Sequence, residues 1–431
     1  MLKLSEYEKD VLRGSEGKLK KVAMENVVRY AEVLGAKELC EVTKATVFCG
    51  AHNYLEILEM DDFEEVFSKI NLGKDEVIPF DSVYGNCYTQ SCVSPCDQYE
   101  HEPFNQTKDF FDKNTTYLEG AKKAGVSIAG TCAPYLTGWL PIKGEHFVTT
   151  ESGVTVIGNS LFAAMGNSDG IEAAFWSAIC GRTPKWGKHL DENRVGTHLF
   201  KIDTELNSVL EWDLLGKAIG DKVPTSTTPV IEGDFKGVDF SKLKHLCTTL
   251  AVASNCEMCH VVGVTPEART REDAFRGKEP IKEFTINKED LDKAYNSICD
   301  EGSGEVQFVS LGCPHYDLQQ IKEVADYIKG KRVHDNVHFM IWTVYPIKCM
   351  ADENGYTKII EEAGGHIYTS TCPTTIGPVF LDKYRGFVFD SLKQCYSVKS
   401  DVDSSVYLGD KYSCIDAAVT GRWEANNRWT K

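Results

Sequence analysis

Three cysteines occupy segments of one build: Gly130-Thr131-Cys132-Ala133-Pro134-Tyr135, Gly312-Cys313-Pro314-His315 and Ser370-Thr371-Cys372-Pro373. Each thiol stands between a small or hydroxylated residue and a nearby proline, and each follows an apolar, strand-like run (126–129, 306–311 and 365–368). Such thiols fall on loops at the C-terminal ends of strands, where open α/β sheets gather their chemistry. Three thiolates converging from distant loops suit an iron–sulfur cluster with one open iron, since a fourth protein ligand would close the shell. Zinc more often shows a close ligand pair, but spacing alone does not separate the two metals. Asp317 is a candidate N-cap, so Cys313 is expected just before a helix N-terminus, where the dipole lowers a thiol pKa. Read singly, each segment favours a buried structural thiol in a tight turn, and it is the three similarly built loops together that point to a metal.

Other groups have the composition of a site. Residues 187–194, Gly-Lys-His-Leu-Asp-Glu-Asn-Arg, crowd an imidazole, two carboxylates, an amide and a guanidinium into one loop suited to orienting a polar substrate, although charge runs are usually solvated turns. Lys143-Gly144-Glu145-His146 and Glu151-Ser152 follow Cys132, and a carboxylate–histidine pair near a metal can orient substrate or relay a proton. Cys87, Cys92 and Cys96 share a turn-rich stretch that either holds a metal or is a plain loop. Cys256-Glu257-Met258-Cys259-His260 has the spacing of a local zinc or redox pair. Cys40, Cys49, Cys180, Cys247, Cys299, Cys349, Cys395 and Cys414 read as ordinary buried thiols.

The elements that must position these groups alternate. Helices are expected over 5–13, capped by Ser5 with Glu8, and over 19–34; a solvated acidic helix over 60–69; and a helix within 104–124 that leads into the strand before Cys132. Residues 147–149, 154–158 and 195–201 read as strands, and 170–180 as a helix stopped by Gly181 and Pro184. The Pro-, Thr- and Gly-rich stretch 222–239 reads as a linker. Beyond it, strands at 248–253, 306–311, 337–343 and 365–369 interleave with helices at 288–300, 317–329 and 356–363, an order that argues for parallel α/β sheets. The expected regions are 1–125, 126–235 with the first cysteine, and 236–431 with the other two.

With 431 residues the chain has length for two or three domains, and 42% hydrophobic with 26% charged residues is ordinary globular composition. The formal net charge of −17 disfavours nucleic acid and anionic membrane as partners. No apolar run approaches the roughly 20 residues of a membrane span, and the start lacks a signal-peptide core, so a cytoplasmic protein is expected. Sixteen cysteines without an export signal argue for thiols rather than disulfides.

Taken in order, these segments resemble aconitase X, in particular its large catalytic subunit. The resemblance runs from Leu4-Ser5-Glu6, Gly14-Ser15-Glu16-Gly17 and Ala23-Met24 through Cys132-Ala133-Pro134-Tyr135-Leu136, Gly144-Glu145-His146, Glu151-Ser152 and Asn159-Ser160. It continues with Gly181-Arg182-Thr183-Pro184, His189-Leu190-Asp191-Glu192-Asn193-Arg194, the stretch 260–268, Gly312-Cys313-Pro314-His315 and Thr371-Cys372-Pro373.

What the resemblance implies is a hydro-lyase of the aconitase superfamily, with three α/β/α subdomains around a central cleft and no swivelling domain. It implies a [4Fe-4S] or [2Fe-2S] cluster on Cys132, Cys313 and Cys372 with one open iron. The substrate would be a small hydroxy acid such as cis-3-hydroxy-L-proline or mevalonate 5-phosphate. His146, Glu151 and His315 become candidate catalytic residues, and Tyr135, Asn159, Ser160, His189, Asp191, Glu192, Asn193 and Arg194 candidate substrate contacts. The superfamily's serine base sits on a swivelling domain, so a separate small subunit of about 130 residues is the expected partner. An aconitase-like isomerase and a non-catalytic iron- or redox-sensing protein are the alternatives. One departure stands out: where the family has Gly-Ala-Arg-Thr after Asn159-Ser160, this chain runs Leu161-Phe162-Ala163-Ala164-Met165-Gly166 and lacks the arginine fork.

Overall fold

The computed structural model describes residues 2–49, 62–225 and 227–424. Local signals act first. The Ser5 hydroxyl accepts from the Glu8 amide at 3.3 Å and Glu8 accepts from the Ser5 amide at 2.7 Å, a capping box over the helix Glu6–Leu12. Helix Lys18–Leu34 buries Leu19, Val22, Ala23, Met24, Val27 and Ala31, an i, i+3, i+4 stripe, and packs on helix Ile171–Cys180. The latter stops at Gly181, in the left-handed region at φ 70°.

Three parallel sheets carry the chain. Lys44–Val47 lies between Tyr88–Ser91 and Phe147–Val148 in the first. The second has the order His260–Val261, Pro229–Glu232, His198–Ile202, Lys282–Ile286. The third, of five strands, has the order Gly365–Thr369, His338–Thr343, Phe308–Tyr316, Phe387–Phe389, Val406–Leu408. Helices cover these sheets, as parallel strands buried on both faces require. The α/β class and three-domain organisation follow. Among the described residues no helix is long and apolar enough to cross a membrane.

Several elements differ from the sequence expectation. Residues 154–158 are not a strand but part of the buried helix Ser152–Ser160, and 248–253 belong to the helix Phe240–Ser254. These two helices pack so closely that a Cβ on Gly153 would lie 2.8 Å from the Thr248 hydroxyl. A helix buried on every side shows no amphipathic period, so its β-branched residues mimic a strand. The expected linker 222–239 contains Pro229–Glu232, a central strand that opens on a proline where the ladder tolerates one. The helix expected over 60–69 appears as Phe63–Val66 continued by Phe67–Asn71, with Met60 and Asp61 outside the described residues. It is not solvated throughout: Val66 and Phe67 are buried, and Phe67 stacks on Phe80 at 4.2 Å.

Candidate functional site

The three cysteine loops meet. Gly130, at φ 59°, comes so near the 370–372 loop that a Cβ there would stand 2.6 Å from the Ser370 Cβ. The amide of Ser94 donates to the Ser370 carbonyl at 2.7 Å, and Asp97 accepts from the Thr369 amide at 2.7 Å and its hydroxyl at 3.1 Å. The turn-rich stretch with Cys92 and Cys96 thus buttresses the Cys372 loop. Gly312, at φ 104°, has room for no side chain, since a Cβ would lie 2.4 Å from the Trp342 carbonyl.

His315 ties the loops together. Its ring is fully buried, with Nε2 3.0 Å from the Thr371 carbonyl and Nδ1 3.0 Å from the Thr131 hydroxyl. A carbonyl only accepts, so Nε2 carries the proton and Nδ1 accepts from Thr131. Its backbone amide donates to Cys132 Sγ at 3.5 Å. Burial pushes the imidazole down to about 4, the neutral form this tautomer requires. The buried ammonium of Lys244 closes the arrangement from below, donating to the His315 carbonyl at 3.2 Å and to Gln320 at 2.7 Å.

Cys132, Cys313 and Cys372 are half-buried free thiols. Burial pushes Cys132 up to about 12, with Glu151 adding to the rise and Lys393 opposing it. Burial likewise raises Cys313 and Cys372, the latter against a 3.0 Å contact with the Thr375 hydroxyl. The helix dipole does not lower Cys313 as expected, because Cys313 lies inside the strand Phe308–Tyr316, ahead of the capping Asp317. A helix terminus acts only over its first turn.

Sequence reasoning missed Lys393. It stands on the helix Leu392–Lys399 that follows the strand Phe387–Phe389. Burial opposes its charge, yet Glu151 and the thiols of Cys313, Cys132 and Cys372 together hold its ammonium above the usual lysine range. Glu151 is raised by burial and drawn back by Lys393. The loop before Lys393 is fixed by Asp390, which accepts from the Gly312 amide at 3.3 Å and from the Tyr316 hydroxyl, and by Asp213, which accepts from the Leu392 amide at 2.7 Å. Lys393 obeys the strand-end rule that singled out the cysteines, and that rule applied to every strand would have found it.

The donor set suits a sulfur-ligated centre. The three sulfurs do not all lie within 4.8 Å of one another, which is wider than the ligand shell of a single ion. Around them the hydroxyls of Tyr135, Ser370 and Thr371 are buried without a partner, although buried polar atoms are normally satisfied. Cys87, Cys92 and Cys96 do not bring three ligand atoms within 4.8 Å, and Cys259 instead hydrogen-bonds the Cys247 thiol while its amide donates to the Ser160 hydroxyl oxygen at 2.9 Å.

The remaining candidates fall elsewhere. Tyr135 and Glu151 lie with the thiols, and Tyr135 packs edge-on against Phe240. His146 and His189 meet each other, Nδ1 to Nδ1, at 3.0 Å. Asn159 and Arg194 belong to a buried clamp: Arg194 donates to Asn159 Oδ1 at 3.0 Å, to the Asn159 carbonyl at 2.9 Å and to Glu267 at 2.5 Å. Asp191 is on the surface, paired with Arg276. Glu192 and Asn193 line a cleft of about 800 Å³ together with Ser152, Lys188 and Glu257. Burial lowers Lys188 to about 8 there, and its ammonium donates to the Asn193 carbonyl at 2.7 Å and the Thr228 hydroxyl at 2.6 Å.

Comparison with known proteins accords with this architecture. The chain is 29% identical to the phosphomevalonate dehydratase large subunit of Methanocaldococcus jannaschii over 97% of this chain and all of that protein. It is 26% identical to the cis-3-hydroxy-L-proline dehydratase of Pseudomonas aeruginosa, over 97% of this chain and 70% of that protein. The crystal structure of Thermococcus kodakaraensis aconitase X in its holo-form superposes with a TM-score of 0.81, at 26% identity, covering 97% of this chain and 100% of that one. Family models match in sequence order: the aconitase X first domain at residues 1–192, the second at 196–296 and the third at 306–420. The chain therefore belongs to the aconitase X family and is a hydro-lyase of that type.

Proposed function

We propose that this chain is the large subunit of an iron–sulfur-dependent dehydratase of a small hydroxy acid, of the phosphomevalonate or cis-3-hydroxy-L-proline kind. The observation that carries this reading is the gathering of Cys132, Cys313 and Cys372 around His315, where the charge of Lys393 acts on all three thiols. The cluster, when bound by these thiolates, supplies a Lewis-acidic iron to the departing hydroxyl.

The chain's own groups supply the rest. Lys393 is a half-buried cation whose charge acts on the thiols, and it suits a substrate carboxylate or phosphate. It also stands in for the arginine fork that the segment 161–166 lacks. Glu151, raised by burial, keeps a carboxyl proton to higher pH than an exposed glutamate and can deliver it to the leaving oxygen. His315 is a positioning residue, because both ring nitrogens are engaged with the loops it joins. His146, which pairs with His189, and the clamp residue Arg194 act on the shape of the cleft rather than on reacting atoms.

A separate small subunit supplying the serine base completes the enzyme, and the cytoplasm is its proposed place. Supporting the partner, the archaeal relative is named a large subunit and is covered end to end, whereas the bacterial dehydratase is covered over 70% of its length. Co-expression with a candidate small subunit, followed by assay of hydroxy acids for an ultraviolet-absorbing alkene, tests the reading. Turnover that requires both chains is expected; a cluster-loaded complex silent on phosphorylated and proline-type hydroxy acids would favour a sensor.

A further inference from the structure

Away from the three thiols, Cys40, His146 and His189 each offer one ligand atom, all within 4.8 Å of one another. No other trio of Cys, His, Asp or Glu does so among the described residues. They come from three separate segments: Cys40 from the strand Leu39–Glu41, His146 from the turn entering Phe147–Val148, and His189 from the single turn Gly187–His189. Backbone bonds fix all three. Cys40 pairs with Thr183 in an antiparallel ladder, the His146 carbonyl accepts from the Thr43 amide at 3.0 Å, and the His189 amide donates to the Trp186 carbonyl at 3.0 Å.

A histidine pair alone leaves this arrangement unsatisfied. In the Nδ1 to Nδ1 contact one ring donates and the other accepts. If His189 accepts, its proton sits on Nε2; if it donates, Nε2 is a lone pair. In either case Nε2 is buried with no partner. The Cys40 thiol has only the Thr183 carbonyl, at 3.7 Å. A buried ring with one idle nitrogen beside a buried thiol is a costly way to build a core and an ordinary way to build a metal site.

We propose that Cys40, His146 and His189 form a binding site for a borderline-soft divalent cation of the zinc class, separate from the three-thiol centre. The surrounding charge selects the class. The ammonium of Lys185 and the guanidinium of Arg194 act on both rings, and Lys185 and Arg182 act on Cys40 against Asp169 and Glu38. A hard ion such as magnesium or calcium, held by carboxylates, finds no such shell here, whereas sulfur and imidazole bind zinc through the donor atoms themselves. On binding, the Cys40 S–H bond breaks and its proton leaves to solvent. Each neutral ring keeps its single proton, carried on whichever of its nitrogens does not ligate, the hydrogen bond between the rings being given up. One metal–sulfur and two metal–nitrogen bonds form, a fourth position is left for water, and no electron is transferred. The ion would staple the Leu39–Glu41 ladder to the segment that runs on to Arg194 and its Glu267 clamp.

This site stands independently of the dehydratase reading, and its test separates the two. Anaerobically reconstituted protein is incubated with zinc, desalted and analysed for zinc and iron, then repeated with cobalt for its thiolate charge-transfer absorption. The wild type is expected to retain one zinc per chain in addition to its iron. Cys40→Ser and His189→Gln should each lose that zinc and the cobalt band while keeping iron, and Cys313→Ser should lose iron and keep zinc. Zinc unchanged in Cys40→Ser, zinc that departs with Cys313→Ser, or a wild type that retains none would each overturn the proposal. Should His189→Gln fail to fold by circular dichroism, Cys40→Ser alone decides, since it changes one atom of a small buried side chain.

Discussion

Nδ1 of His315 lies 3.0 Å from the hydroxyl of Thr131, and this contact binds the strand end that carries Cys313 to the loop that carries Cys132. Burial keeps the imidazole neutral, and since Nε2 donates to the Thr371 carbonyl, Nδ1 accepts and Thr131 is the donor. His315→Ala removes the knot and strands buried partners on two loops. A loss on the order of 3 kcal/mol is expected from their desolvation. Denaturant titration should show that loss, and iron analysis a substoichiometric centre.

Lys393 is a cation whose charge acts on all three thiols and on Glu151. Lys393→Met should lower kcat/KM about 100-fold, the worth of one buried charged hydrogen bond, with the iron content unchanged. Lys393→Arg should recover part of the loss in KM. A variant that loses iron in proportion to activity would show that the residue serves the centre and not the substrate.

How much of this was open to a reader of the chain depends on where each signal resides. The three cysteines advertise themselves because a thiol between a small residue and a proline at a strand end has local cause, and the capping boxes at Ser5 and Asp317 are equally local. Lys393 and Lys244 do not, for a lysine on a helix reads as solvated until tertiary packing buries it. The same holds for Cys40, which looks like any apolar thiol and gains two histidine neighbours only when 146 and 189 fold back on it. Residues 154–158 and 248–253 misled for the opposite reason: two helices buried against each other show the β-branched composition of strands.

Asp169 gives the fold a pH signature. Its carboxyl is pushed well above the usual range by burial and then by Glu257, and its Oδ2 has no partner. A raised carboxyl means that the folded state holds the proton more tightly. Its stabilising effect is therefore full below the unfolded value of about 3.9 and is lost as pH rises through the folded value. Asp169→Asn should flatten the fall in stability above that range, measured by urea midpoints across pH. An unchanged slope would mean that the carboxylate finds a partner in solution.

Arg194 and Glu267 form a buried bidentate pair between the segment 187–194 and the second domain, with Arg194 fully buried. Glu267→Gln leaves that guanidinium short of a counter-charge and should cost about 3–5 kcal/mol. Calorimetry should show the first and second domains separating into distinct transitions; a single unshifted transition would place the joint elsewhere.

Cys132, Cys313 and Cys372 are proposed to hold one iron–sulfur centre together. Iron and acid-labile sulfide quantified after anaerobic reconstitution, in the wild type and in Cys132→Ser, Cys313→Ser and Cys372→Ser, tests it most directly. Matched iron and sulfide are expected in the wild type, and loss of both in every single variant, with circular dichroism unchanged. Iron without sulfide in the wild type, or a variant that keeps a full complement of both, would contradict it.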